Sequence, residues 1–390
     1  MEDKFNWYKL KFLESGANLK PLIKTITGRE PSTAITREIA VCLQQGRLFY
    51  EAAEKAPLEI RPLQLFYGMM NFAKGLVIAK TLKPLSMLPT SHGIRDISAQ
   101  ECRLAALAVK INSEGTFQKF NDVVSAFTRI CYFGRSNKPT STYIPSSSSK
   151  ELLGFELCLK DIFSRIPGLQ DLYRSTFSED ANIYSLVIHF RAEFANYCEV
   201  RIDDSELFTN RTTLRLLVEK LRSRIAFLNN WMIESAEQGW GNSIICFGNI
   251  DNSSIDDLDE NCFIESSGKF RAKFYPLCNI NKPRIDIAQV FPPMGQGYSN
   301  RHPVVIAPLN GQYLSEFSLH YLGLYLLSSL VRYRPHVWGR ALSRTMLQDI
   351  PADDTLLALI EQFMELSRST IPEMIVKALN PFEDSYSTMQ

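Results

Sequence analysis

The chain has 390 residues, 45% hydrophobic and 22% charged, with a formal net charge of +1. That is a globular composition, and the balanced charge excludes a protein whose whole surface is biased towards nucleic acid or membrane. Recognition of an anion must therefore come from local clusters, and a chain this long buries a core without metal or disulfide help.

The N-terminus, MEDKFNWYKLKFLESG, is charged and lacks the apolar run of a signal peptide. Residues 1–30 carry a short amphipathic helix signal in Trp7, Leu10, Phe12 and Leu13. GREPST at 28–33 is a break, after which Ser32 or Thr33 caps a second helix reaching about Ala56. Pro62 suits the first turn of a third helix, Leu63–Lys80. Residues 99–111 read as helix, or helix into strand. Residues 134–149, rich in Ser and Pro, read as a mobile linker. Lys150–Phe163 reads as an amphipathic helix ended by Ile166-Pro167-Gly168.

The character changes near Ala181. Residues 183–194 and 197–203 read as strands, Arg211–Glu234 as a helix, and residues 240–310 as short β-like runs split by turns, GQG at 295–297 being one of them. Helix returns from Ser315: one ended near Pro335, a second or kinked extension through HVWGRALSRTM, and two more after Pro351. The tail, 381–390, reads as disordered.

Two organisations fit this order. One is a set of two or three independent domains. The other is mainly α with an α+β insertion: a bundle built from helices at both ends (1–133 and 311–380, with 150–180 as a helical connection) and a small antiparallel sheet within residues 181–310.

Eight cysteines are scattered singly, with no CxxC, so no zinc site is expected and the pattern fits a reducing cytoplasm. The greasiest run, Leu319–Val331, is interrupted by His320, Gly323, Ser328 and Ser329 and falls short of the roughly 20 apolar residues that span a bilayer. No nucleotide-binding glycine loop is present, and no cofactor is expected.

Two constellations could carry chemistry. On the Leu63–Lys80 helix, Tyr67, Asn71 and Lys74 lie at i, i+4, i+7, a polar stripe between apolar flanks. It is either the bundle's edge or a recognition surface in which Lys74 holds a phosphate. Gly68 and Gly75, nearly aligned, cost roughly 1 kcal/mol each in a helix, which close approach of another helix would offset. The second constellation is Phe317–Gln348, which contains no acidic residue but carries Arg332, Arg334, Arg340 and Arg344, with His336 and interleaved Tyr333 and Trp338. Arginine forks suit phosphate and aromatics offer bases a stacking surface; equally, the arginines could pair with carboxylates elsewhere. Arg332 to hold a phosphate and His336 to move a proton would suffice to cleave RNA through its own 2′-OH without a metal, although Pro335 between them breaks the helical spacing. His92 sits in a TSHG loop beside Gly93.

RLFYEAAEKAPLEIRPLQLFYGMMNFAKGLVI at 47–78, SHGI at 91–94, EGTF at 114–117, the 150–169 region and HYLGLYLLSSLVRYRPHVWG at 320–339 together resemble the bacterial YaaC-like proteins. The FYGMMNFAKGLVI helix followed by a histidine-glycine loop is more distantly similar to HEPN domains, helical bundles common among bacterial ribonucleases, toxins and defence proteins. That likeness implies an HEPN-like bundle in which the helix ending at Arg332 packs on Leu63–Lys80. It implies a nucleic-acid- or nucleotide-binding protein of a stress or antiphage module: an endoribonuclease using Arg332 and His336, or a non-catalytic derivative. Here three residues, one of them Pro335, separate Arg332 from His336, where HEPN nucleases have four to six. The binding residues would be Tyr67, Asn71, Lys74, His92, Arg334, Arg340 and Arg344, the partners RNA or a nucleotide, or a protein of the same operon. The other class of function left by the sequence is an interaction subunit, a homo-oligomer or a docking partner, that works through helical surfaces alone.

Overall fold

The computed structural model describes residues 7–124, 129–133, 139–143, 146–190, 198–203, 219, 222–223, 231–238, 242–246, 270–276, 295–297, 304–342 and 354–380. The chain is mainly helical with an inserted α+β segment. It divides into two compact units: residues 1–127, 147–182 and 309–390 form the first, and residues 128–146 and 183–308 the second. Helices from both ends of the chain thus share one unit.

In that first unit, α1 (Trp7–Leu13), α2 (Gly16–Thr27), α3 (Thr33–Lys55) and α4 (Arg61–Thr81) come from the N-terminal part. Ser32 caps α3 by accepting the Ile35 N–H at 3.2 Å, and Pro62 sits in the first turn of α4, where its missing N–H costs nothing. A three-stranded antiparallel sheet follows, β1 (Ile94–Asp96), β2 (Ala108–Ile111) and, later, β5 (Glu156–Cys158), in the order β1-β2-β5. Helix α5 (Thr116–Val124) lies between β2 and β5 in sequence, and α6 (Leu159–Phe163) and α7 (Gln170–Phe177) follow β5. The C-terminal part adds α8 (Glu316–Tyr333), α9 (Pro335–Leu342) and α10 (Asp354–Leu379).

Helix α8 is the axis of the core: every residue from Glu316 to Leu330 is buried. Ser315 caps it through the Ser318 N–H at 3.1 Å. Gly323 admits the Phe363 ring of α10, whose Cζ would stand 2.6 Å from a Cβ there. Phe66 of α4, Phe117 and Phe120 of α5 and Phe317 and Tyr321 of α8 form one aromatic cluster with ring centroids 5.5–5.8 Å apart.

The costly glycines of α4 have a packing reason, and the partner differs from the expected one. A Cβ at Gly68 would overlap the Tyr50 ring, and one at Gly75 would meet Cys42 and Leu43 at 3.3 and 3.4 Å. Those residues belong to α3, the preceding helix, so the glycine face of α4 packs on α3. Helix α8 meets α4 on another face through Phe66.

Several expected elements are corrected. The Lys150–Phe163 segment is a turn, then β5, then the short α6, because Gly154 takes a left-handed φ of 77° and Leu157 pairs with Val109. The two last helices are one: burial of Ile371, Met374 and Ile375 around Pro372 outweighs the one hydrogen bond that Pro372 lacks. The Ser-rich stretch is pinned where it is described. Ser147 N–H bonds the Tyr313 carbonyl at 2.8 Å, and Ser149 bonds the Asp122 carboxylate.

The second unit is built on strands. β3 (Arg129–Phe133) and β4 (Pro139–Tyr143) form a hairpin, so part of the expected linker is a strand. Seven further strands, β6 (Ile183–Phe190), β7 (Cys198–Asp203), β8 (Trp231–Gln238), β9 (Asn242–Cys246), β10 (Phe270–Pro276), β11 (Gly295–Gly297) and β12 (Val304–Ile306), form an antiparallel sheet in the order β11-β12-β6-β7-β10-β8-β9. The expected turn at 295–297 is therefore an edge strand. The end of the expected helix Arg211–Glu234 falls in β8; of the rest, residues 219 and 222–223 are helical and the remainder, like the tail 381–390, lies outside the described residues.

No helix among the described residues is long and apolar enough to cross a membrane.

Candidate functional site

A tightly constrained loop of the helical unit carries His92. Gly93 has a φ of 77°, a conformation side-chain-bearing residues rarely adopt, and a Cβ there would overlap Gln118 and Gly115. The start of α5 holds this loop: the Thr116 and Phe117 N–H groups bond the Ser91 and His92 carbonyls at 2.9 and 3.0 Å. Gln118 Nε2 donates to the Gly93 carbonyl at 2.6 Å. These bonds satisfy N–H groups that a helix start leaves without intrahelical partners, and they fix His92 before any ligand arrives.

The His92 ring is half-buried between Phe66, at 5.4 Å, and Tyr325, at 5.9 Å. Its Nδ1 is enclosed and has no hydrogen-bond partner among the described residues. Burial, then the positive charges of Arg332 and Lys74, push its pKa below the ordinary histidine value. The imidazole is thus neutral at pH 7, available to accept a proton.

The charges of Lys74, on α4, and Arg332, on α8, both bear on His92. Among the described residues neither has a carboxylate partner; Arg332 spends only its Nε, on the Ser328 carbonyl of its own helix at 3.4 Å. Two half-buried cations and a neutral histidine with no counter-charge form a field suited to an anion.

The rest of the polar stripe on α4 does other work. Asn71 Nδ2 donates to the Tyr67 carbonyl one turn back at 2.9 Å, and the Tyr67 ring packs on Phe49 at 5.8 Å. Of Tyr67, Asn71 and Lys74, it is Lys74 whose charge bears on the histidine.

Arg334, two residues beyond Arg332, is closed off. Helix α8 ends there, its N–H bonding the Leu330 carbonyl at 2.9 Å, and Pro335 opens α9. The Arg334 guanidinium pairs with Asp96 of β1 at 2.6 Å and donates to the Ser98 and Ala99 carbonyls at 2.8 and 3.0 Å. Burial opposes the Asp96 charge, but hydrogen bonds from Arg334, Ser329 and Ser98 outweigh it and hold the carboxyl below its ordinary range. Tyr325 joins this clamp: its hydroxyl accepts from the Asp96 N–H at 3.2 Å. Arg334 is a buried structural residue whose Nε and both terminal nitrogens are engaged inside the protein.

His336 and Arg340, on α9, share the exposed Glu101 carboxylate: His336 Nε2 lies 2.9 Å from it, and Arg340 donates to its other oxygen. Pro335 therefore does more than kink a helix. It places Arg332 and His336 on different helices, with Arg332 among the groups around His92 and His336 on Glu101. Arg344 lies outside the described residues.

Sequence reasoning missed Asp96, Glu101 and Tyr325. Asp96 and Glu101 lie more than 200 residues from the arginines they bind, so no local spacing marks them. Tyr325 is four residues after Tyr321, one face of a helix, and was legible as such.

No group of His, Cys, Asp and Glu among the described residues could hold a metal ion. The family model described as YaaC-like Protein matches residues 18–379, and the chain belongs to that family. No curated protein and no solved structure matches it.

Proposed function

We propose that this member of the YaaC-like family binds a phosphate-bearing ligand, a nucleotide or a nucleic acid, at Lys74, His92 and Arg332. The observation that carries the reading is the unbalanced charge: two cations without carboxylate partners among the described residues bear on one histidine whose enclosed Nδ1 is also unpartnered. Uncompensated, partly buried charge is unfavourable on its own and becomes favourable when an anion pairs with it. In a catalytic version, Arg332 holds the phosphate and His92, in place of His336, takes the proton from a ribose 2′-OH, whose oxygen bonds to its own phosphorus as the P–O5′ bond breaks; the proton then passes to the departing 5′-oxygen, leaving a 2′,3′-cyclic phosphate, and a base for this step must be unprotonated at working pH.

The reading is tested by thermal shift and titration with ATP, AMP and short RNA and DNA oligonucleotides. Binding is expected to stabilise the fold, to weaken with added salt, and to be lost in Lys74→Ala/Arg332→Ala. Stabilisation by none of these ligands, or binding indifferent to the double substitution, overturns it. Incubation with RNA tests the catalytic version separately: cleavage is expected to disappear in His92→Ala and survive in His336→Ala.

A second reading has its own observation. Tyr8 (78% exposed) and Phe12 (51%) lie one turn apart on α1, and Val41 (44%) and Leu48 (50%) two turns apart on α3. Spacing of four and seven is that of a helix–helix seam, and a second copy of this chain is the occupant proposed. Light scattering is expected to show a dimer that Phe12→Glu/Leu48→Glu separates; a monomeric wild type removes this reading.

A further inference from the structure

We propose that Tyr333 is the base-stacking residue of the site at Lys74, His92 and Arg332, so that its ligand is a phosphate ester carrying an aromatic base, as a free nucleotide or the end of a single strand. The inference rests on the phosphate reading above and goes further by naming what the phosphate is attached to.

Tyr333 is the last residue of α8, a helix buried from Glu316 to Leu330, and yet it is 63% exposed. The Arg332 guanidinium lies over its ring, 5.0 Å from the centroid. A guanidinium on one face of a tyrosine pre-orients both groups, and so large an exposure leaves the ring's remaining surface to solvent. The same corner is shared with the histidine: the Tyr325 ring stands 5.9 Å from the His92 ring, and the Arg332 charge bears on both. Arg332 thus links the aromatic plate to the lysine and the neutral histidine, since it lies over the Tyr333 ring while its charge and that of Lys74 bear on His92. Stacking on a tyrosine or an arginine plane tolerates any base and needs no base-specific hydrogen bond, which suits a corner whose polar groups all fit phosphate.

Trp338, the other aromatic among the arginines, does not share this role. It is 3% exposed and its Nε1 is enclosed, so only Tyr333 is available to a base.

The test compares ATP with tripolyphosphate, which carries the phosphates without the base, by calorimetric titration of the full chain. Wild type is expected to bind ATP about tenfold more tightly or better, Tyr333→Ala to bring that ratio close to one, and Tyr333→Phe to restore it. Equal affinities in wild type, or a ratio unchanged in Tyr333→Ala, overturn the inference while leaving the phosphate site standing. Binding of neither ligand overturns both. A short oligoadenylate in a parallel titration separates the two sources of the base: tighter binding than ATP points to a strand, weaker binding to a free nucleotide, and in both cases Tyr333→Ala must weaken it.

Discussion

Arg332 and Arg334 stand two residues apart at the end of one helix and have opposite fates. Arg334 is buried against Asp96 and two carbonyls, every contact internal. Arg332 spends one nitrogen on its own helix and leaves the rest open beside His92 and Tyr333. The same side chain is structural in one position and available in the other. Residue type and local density of arginine therefore do not mark a site; a cation left without a counter-charge does.

The comparison is broken most severely on the structural side. The side chains of Arg334 and Asp96 are 8% and 11% exposed, and removing one partner of a buried ion pair costs about 3–5 kcal/mol. Arg334→Ala is expected to lower the unfolding free energy by that amount, read by urea unfolding; a change near zero would place the pair outside the stabilising core. The pH dependence has a definite sign. The Asp96 carboxyl titrates below its ordinary value in the fold, so its contribution is complete above the unfolded carboxylate range and is lost as pH falls through the depressed folded value. Asp96→Asn is expected to flatten that acid limb.

Next in size is the seam that places Lys74. A methyl at Gly68 overlaps the Tyr50 ring, and overpacking of this kind costs about 1–3 kcal/mol. Gly68→Ala is expected to lower the Tm and, by shifting α4 against α3, to weaken the ligand site as well; Tyr50→Phe keeps the ring and is not expected to relieve the clash.

On the open side, Lys74→Ala and Arg332→Ala are each expected to leave the unfolding free energy nearly unchanged, within about 0.5 kcal/mol. Each is expected to weaken ATP binding by about 10- to 100-fold, the range of one hydrogen bond to a charged group. A large loss of stability in either would mean that the side chain has a structural partner after all. The smallest effect is expected at His336→Ala, whose ring shares the exposed Glu101 with Arg340: no measurable change in Tm or in ATP affinity.

Much of the architecture was legible where the physics is local. Ser32 and Pro62 announced the starts of α3 and α4, the unbroken apolar run announced α8, and the change of pattern near Ala181 fell close to Ile183, where the second unit resumes. What failed depended on distant partners. Lys150–Phe163 has helical periodicity, but pairing with β2 makes part of it a strand. Pro372 reads as a helix end, but burial on both sides carries the helix through it. The site shows the same division. Lys74, His92 and Arg332 were each visible as candidates, whereas their grouping, and the commitment of Arg334 to Asp96 and of His336 to Glu101, depended on contacts across more than 200 residues of chain.

That Lys74, His92 and Arg332 form an anion site is tested most directly by titrating the His92 ring by NMR with and without saturating ATP, the signal being assigned with His92→Asn. In the free protein its pKa is expected below the ordinary histidine value, because burial and two cations disfavour the imidazolium. A bound phosphate neutralises those cations and favours the imidazolium, so the pKa is expected to rise on binding, with proton uptake near neutral pH. A His92 pKa that does not move when ATP is bound would contradict the account, as would a free-protein value at or above the ordinary one.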